Sequence, residues 1–231
     1  MSHYAVAVFC DSPDDTSFDE LLRPYNEADE AYFVFEPVSQ DEINARWMKF
    51  HEQNPNWKRS EWQKEFYTER DGKFGHWHNP NAKWDWYTLD GRDFAFDEKP
   101  EVSKALDAGT LDFHGRFLKS QLDWEKADDQ PSDAECRSCW RRYVAEGDGF
   151  YNAEYYKRRY GTEDQYVKEM MQPTIPYCFV TPDGKWHSPG EVGWFGYSDE
   201  SADTWNSYAD EWFDFIRNAP DCYVSLVDCH I

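Results

Sequence analysis

Tyr4-Ala5-Val6-Ala7-Val8-Phe9-Cys10 is a short apolar run halted by the turn cluster Asp11-Ser12-Pro13-Asp14, and it reads as a strand. Its counterpart is Cys222–Ile231, an alternating stretch that closes the chain behind a long helical pattern. That pattern runs from about Asp203 to Asn218, with Trp205, Tyr208, Trp212, Phe215 and Ile216 on one face and Pro220 blocking continuation. Strands at both ends with helices between them predict an α+β fold. Its mixed or antiparallel sheet contains both terminal strands, the last pairing near the first, and packs against helices.

Working inward, a second strand is expected over Ala31–Val38, which is rich in aromatic and β-branched residues. Four S/T-x-x-E/Q boxes mark helix starts: Ser39…Glu42, Ser60…Gln63, Ser132…Glu135 and Thr162…Gln165. Apolar stripes at helical spacing follow, including Ile43, Trp47 and Phe50, then Trp62 and Phe66, then Cys136, Cys139, Trp140 and Tyr143. Two hairpin signals bring strands back. Lys83-Trp84-Asp85-Trp86-Tyr87 meets Asp90-Gly91, and Tyr177–Val180 leads through Thr181-Pro182-Asp183-Gly184 into Lys185-Trp186-His187. The sheet domain is expected to comprise residues 1–97 and 173–231. Residues 98–172, more charged and more helical, are expected to form an insertion or subdomain carried on it.

Composition narrows the class. The 231 residues hold 46 acidic against 24 basic side chains, a net charge of -22. Gripping DNA or RNA needs clustered Lys and Arg, and an anionic membrane attracts basic patches, so neither partner is expected. Ile, Leu, Val and Phe together fall below roughly one-fifth of the chain, a level usually associated with disorder. The aromatic share of 19% argues otherwise, because each buried ring removes roughly 150–250 Å² from water and can replace an aliphatic core. The N-terminus has no basic region followed by a long apolar run, so no targeting or spanning segment is expected there. Six scattered cysteines suggest reduced thiols in a cytosol.

Several motifs bear on chemistry. Cys136-x-x-Cys139 supplies half a zinc site, which Cys229 and His230 could complete; core packing on the stripe of Trp140 and Tyr143 is the preferred alternative. His76-Trp77-His78 offers further ligands but reads as solvent-facing turn residues, and no HExxH or deaminase pattern accompanies it. In the terminal strand Asp228 and His230 share a face while Cys229 points to the other. There is no GxSxG elbow, no Walker loop and no GxGxxG, and Gly190–Gly196 carries an acid where a phosphate would want none. The most informative pattern is cations interleaved with aromatic faces on the two hairpins. Lys83, Trp84, Trp86 and Arg92 form one set, and Lys185, Trp186, His187 and Trp194 the other. Such sets suit stacking on a planar anion such as a nucleotide, with Trp84 and Trp86 facing the core as the competing reading.

The segments Asn79-Pro80-Asn81-Ala82-Lys83-Trp84-Asp85-Trp86-Tyr87, Thr181-Pro182-Asp183-Gly184-Lys185-Trp186-His187, Gly193-Trp194-Phe195-Gly196 and Val227-Asp228-Cys229-His230 resemble a family of small acidic proteins encoded by phages and prophages. The likeness covers the N-terminal strand, these hairpins and the C-terminal helix and strand, while the middle third varies. In that family the first hairpin continues Gly-Gly-Arg-Trp, where this chain reads Asp90-Gly91-Arg92-Asp93. The resemblance implies an accessory protein working in a bacterial cytoplasm.

A charge of -22 exceeds the magnitude of roughly 2–8 that keeps a small domain soluble, which points to a basic partner. The leading expectation is a non-enzymatic inhibitor of a host anti-phage defence. It would mimic nucleic acid and bind a basic protein such as a CRISPR effector through its carboxylates, with exposed Trp and Tyr as hot spots. A nucleotide-sequestering protein using the Trp hairpins is the alternative, and a metal-dependent hydrolase the third. No resident cofactor is expected.

Overall fold

A computed structural model describes residues 3–89, 97–111, 113–124, 131–171, 175–191 and 198–231. In chain order, β1 (His3–Cys10) and α1 (Asp15–Leu22) precede β2 (Val34–Pro37), α2 (Gln40–Gln53), α3 (Arg59–Phe66), β3 (Thr68–Arg70) and β4 (Lys73–His78). Then come β5 (Trp86–Leu89), α4 (Pro100–Asp107), β6 (Phe117–Leu118), α5 (Asp133–Val144), α6 (Ala153–Tyr160) and α7 (Glu163–Met170). Strands β7 (Cys178–Val180) and β8 (Trp186–His187), helix α8 (Ala202–Asn218) and β9 (Tyr223–His230) complete the α+β fold.

The two terminal strands are direct neighbours. β1 and β9 run antiparallel through eight residue pairs, from His3 opposite His230 to Cys10 opposite Tyr223. β7 joins the other edge of β1 in parallel, and β8 folds back on β7, so the main sheet is mixed, in the order β5-β9-β1-β7-β8. The outer edge of β9 is shared, with β5 pairing at its C-terminal end and β6 at its N-terminal end.

Strand alternation divides the side chains between two faces. Ala7, Phe9, Phe179 and Val224 meet Tyr208 and Trp212 of α8, together with Leu122 and Trp124, in one buried cluster. The core is aromatic: Phe9 lies 4.7 Å from Phe215, and Trp212 lies 5.4 Å from both Phe179 and Trp124. Their polar atoms are satisfied, since Trp124 Nε1 donates to the Lys119 carbonyl at 2.7 Å and Tyr208 Oη to that of Pro176 at 2.6 Å. The opposite face buries Val6, Val8, Cys178, Val180, Val227 and Cys229. Phe18 and Leu22 of α1, which packs on β1, are likewise fully buried.

Residues Arg23–Asp85 form one compact unit, and Met1–Leu22 with Trp86–Ile231 form another. The compact division therefore falls at 23 and 85. Residues 98–172 group with the terminal strands: β6 pairs with β9, and α5, α6 and α7 enclose a cluster of Cys136, Trp140, Tyr156, Tyr166 and Val167. Within the smaller unit a β2-β4-β3 sheet accompanies α2 and α3, whose Ile43 and Trp62 pack with Tyr67. The β3–β4 hairpin turns at Asp71-Gly72, both with positive φ (50° and 73°), a conformation that Gly adopts without strain.

Several expectations shift in detail. Ser39, Ser132 and Thr162 cap α2, α5 and α7 as expected. Ser60 does not cap α3. The cap position is Lys58, two residues earlier, the helix begins at Arg59, and Glu61 accepts from the Lys58 N–H at 3.3 Å. The strand expected over 31–38 is only Val34–Pro37, because Asp29 accepts from the Ala31 N–H and winds Glu30–Tyr32 into a 3₁₀ turn. His76-Trp77-His78 lies in β4 instead of a turn, paired with β2. Phe66, placed on one apolar stripe with Trp62, is exposed, while Trp62 is buried. No described helix is long and apolar enough to cross a membrane.

Candidate functional site

Helix α6 supplies one wall of the site. Asn152 caps it, accepting from the Tyr155 N–H at 2.9 Å, and residues four apart then fall on one side, which aligns Tyr155 with Arg159, while Tyr151 just ahead of the cap also lines the wall. Tyr151 and Tyr155 touch with ring centroids 4.1 Å apart. Across from them stand Tyr177, just ahead of β7, and Ser198 and Glu200, just ahead of the α8 cap Ser201. Trp205 in the first turns of α8 and His3 and Tyr4 at the start of β1 close a pocket of about 300 Å³.

Charges that rarely leave water are held in its floor. The Arg159 side chain is 5% exposed and that of Glu200 is 5% exposed. Arg159 donates from Nε to Glu200 at 3.0 Å, and its two terminal nitrogens reach the two oxygens of Glu169 on α7 at 3.0 and 2.5 Å. The guanidinium also lies over Trp205, 3.8 Å from its centroid, and over Tyr160 at 4.6 Å. Glu200 accepts further bonds from the hydroxyls of Tyr155, at 3.2 Å, and Tyr177. One guanidinium thus faces two carboxylates.

The electrostatic consequences follow from burial. Loss of water pushes the Glu169 carboxyl above the usual carboxylate range despite its Arg159 hydrogen bonds, and Glu200 adds repulsion. Burial raises the phenols too, Tyr160 to about 12, and Tyr155 and Tyr177 further upward with the Glu200 charge beside them. All three remain protonated near neutrality. The tyrosines donate to Glu200, and Arg159 is held by both acids.

The residues singled out from sequence are dispersed. Trp86 and His230 stack at 4.9 Å across the β5–β9 pair, and His3 meets both rings edge-on. His3 is anchored by Asp228 at 3.1 Å. Trp186 contacts Tyr4 at 6.5 Å, on the opposite face of the sheet from His3 and Trp86, because its register partner Val180 is on that of Tyr4. Trp86 and Trp186 therefore cannot clamp one planar ligand between them. Trp84 is 5% exposed and belongs, with Lys83, to the unit 23–85, where it bridges to Asn26. His187 stacks on Phe179 at 4.3 Å and pairs with Glu211 at 2.9 Å, while Lys185 is exposed beside its turn. Arg92, Trp194 and the Asp90-Gly91 turn lie outside the described residues.

The motif segment Asn79–Trp84 has a visible structural job. The buried Asn79 amide donates to the carbonyls of Pro24 and Asn26, both at 2.8 Å, tying the last stretch of the smaller unit to its first. Cys136 and Cys139 sit on α5 against Trp140 and Tyr143, and burial raises the Cys136 thiol. Cys229 is fully buried opposite Tyr4 and Tyr87, with His230 on the other face. Among the described residues no three His, Cys, Asp or Glu side chains converge as a metal would require, so these four residues do not assemble into one set of ligands.

Sequence reasoning missed His3, Arg159, Glu169, Tyr177 and Glu200. One trace was available: the run Tyr151–Tyr160 holds two arginines among four tyrosines, with Tyr155 and Arg159 one helical turn apart. Nothing local marks Glu200 or Tyr177. Comparison with known proteins brings no match, whether to a protein-family model, a curated protein or a solved structure. The phage and prophage setting therefore rests on the quoted motifs.

The anionic surplus is uneven. Residues 23–85 carry 12 acidic and 9 basic side chains, whereas the remainder carries 34 and 15. Helices α5 to α7, over 133–170, are nearly balanced, with eight acids against seven bases. From residue 171 to 231 there are ten acids and two bases. On α8, Asp203, Asp210 and Asp214 are exposed and recur at helical spacing on the side away from Trp212.

Proposed function

We propose that the protein is a non-enzymatic inhibitor from a phage or prophage, acting in the bacterial cytoplasm on a basic, nucleic-acid-binding component of host defence such as a CRISPR effector. What supports the reading above all is the concentration of unbalanced carboxylates on particular elements. α8 carries them at helical spacing on a helix whose inner face is locked by Trp212 and Tyr208. Carboxylates held in such a row can meet a lysine- and arginine-lined groove that ordinarily receives phosphates. A surface charged merely for solubility would spread its surplus over both compact units.

The test is competition. Labelled duplex DNA bound to a purified RNA-guided effector is titrated with this protein while fluorescence anisotropy is followed. Displacement is expected, falling steeply as salt is raised, because exposed charge pairs are screened within a Debye length of about 8–10 Å. The triple substitution Asp203→Asn, Asp210→Asn and Asp214→Asn should weaken it about tenfold or more, since coupling of close interfacial charge pairs is commonly above 1.4 kcal/mol. Equal displacement by parent and triple variant, or none from any effector tried at low salt, defeats the proposal.

A further inference from the structure

We infer that the tyrosine-walled pocket over Arg159 and Glu200 receives the guanidinium or ammonium head of one basic side chain of the partner; the inference rests on the basic-partner reading above. Three independent features lead there. The cluster around Arg159 holds two carboxylates, Glu200 in the pocket lining and Glu169 behind it, against one guanidinium. An entering anion would meet Glu200 in the wall, and a neutral guest would leave the imbalance uncorrected. A cation offsets the second carboxylate.

The walls also suit that guest. Cations are attracted to aromatic faces, and the protein already places its own guanidinium against Trp205 and Tyr160 in this cavity. The phenol oxygen of Tyr155, whose hydrogen goes to Glu200, keeps lone pairs for an incoming N–H donor, while that of Tyr177 is shared between Glu200 and Ser198 Oγ. At about 300 Å³ the space stands at the small end of ligand pockets, a size for one side chain and not for a dinucleotide.

The mouth offers a third feature. Phe150 is 91% exposed beside Tyr151, their ring centroids 5.0 Å apart, in the loop leading to α6. An exposed aromatic next to a charged recess is the composition of an interface anchor, with the recess excluding water from the ion pair. Arg158 lies beside the pocket; it bonds the Ser198 carbonyl at 3.2 Å and sits 5.7 Å over Tyr155. It opposes a cationic guest, so its removal should strengthen binding.

The probes are N-acetyl-arginine amide and N-acetyl-lysine methylamide, with the leucine and glutamate analogues as controls, titrated into the full chain by NMR at low salt. Saturable binding of the cationic probes is expected, with Kd on the order of 1 mM, and no saturation with the controls. Glu200→Gln should weaken it about tenfold, and Arg158→Gln should tighten it about threefold. Tyr151→Ala, at an exposed position that leaves the core untouched, should weaken it about threefold and serves if Glu200→Gln fails to fold. No saturation with either cation, or equal response to leucine, overturns the inference. If the effector-displacement experiment succeeds while this one fails, the carboxylate row stands without the pocket; the reverse outcome retains the pocket and removes the effector as its partner.

Discussion

Replacing Arg159 by Met takes away the one cation that, among the described residues, pairs with both Glu169 and Glu200. Three hydrogen bonds of 2.5 to 3.0 Å disappear, as does the stacking on Trp205, and a hydrophobic chain of similar length remains. Deleting one partner of a buried pair costs about 3–5 kcal/mol, because the survivor keeps its charge without water or counter-ion. Here two carboxylates are stranded, so the upper part of that range is expected, about 4–5 kcal/mol near neutral pH. That is a large fraction of a typical stability of roughly 5–15 kcal/mol.

The penalty should depend on pH in one direction. Stranded carboxyls have raised folded-state pKa values, so they bind protons more readily folded than unfolded. The stability they contribute is present at acid pH and is lost as pH climbs through the raised values. Glu169 already behaves in that sense in the parent protein. The difference between parent and variant should therefore shrink from about pH 7 to about pH 5. Urea unfolding followed by tryptophan fluorescence measures both differences. Glu169→Gln leaves Arg159 paired one-to-one with Glu200 and should cost far less, on the order of 1 kcal/mol. An Arg159→Met penalty below about 1 kcal/mol near pH 7, or one that does not fall on acidification, would refute the argument from uncompensated buried charge.

Two other perturbations address the scaffold. Lys119, 5% exposed, donates to the carbonyls of Phe215, Ile216 and Ala219 at the C-terminus of α8, where a cation also meets the helix dipole. Lys119→Met should cost about 2 kcal/mol and lower Tm by about 4–8 °C in calorimetry; an unchanged Tm would show that water replaces the cap without loss. A Cβ on Gly75 would lie 2.2 Å from the Glu36 carbonyl oxygen and 2.7 Å from Phe35. Gly75→Ala should therefore part β2 from β4 and speed hydrogen exchange over 34–37 and 73–78, while amides of β1 and β9 keep their protection. Unchanged exchange in β2 and β4 would contradict that close approach.

How much was readable in advance differs by element. Ser39, Ser132 and Thr162 announced their helices because a cap is a contact between residues three apart, and local spacing contains it whole. The sheet was readable for a similar reason: β1 is apolar along its length, and β9 alternates against it. Asp228 and His230 share a face by the two-residue repeat alone. Burial of Trp84 was not readable, because alternation says which residues oppose one another but not which layer lies above them. The compact division at 23 and 85 was not readable either, since the charge and helix content that drew attention to 98–172 do not record which strands that stretch pairs with.

The amino-acid order by itself determined an acidic, aromatic-rich α+β chain with paired terminal strands, because composition, caps and periodicity act over a few neighbouring residues. Only the tertiary structure decided where charge is stranded from water. Arg159, Glu169, Tyr177 and Glu200 are separated by up to 41 positions, and nothing local marks Tyr177 or Glu200. Their chemistry arises when α6, α7 and the approach to α8 close over them. Desolvation is a property of the packed surroundings, and no stretch of sequence carries it.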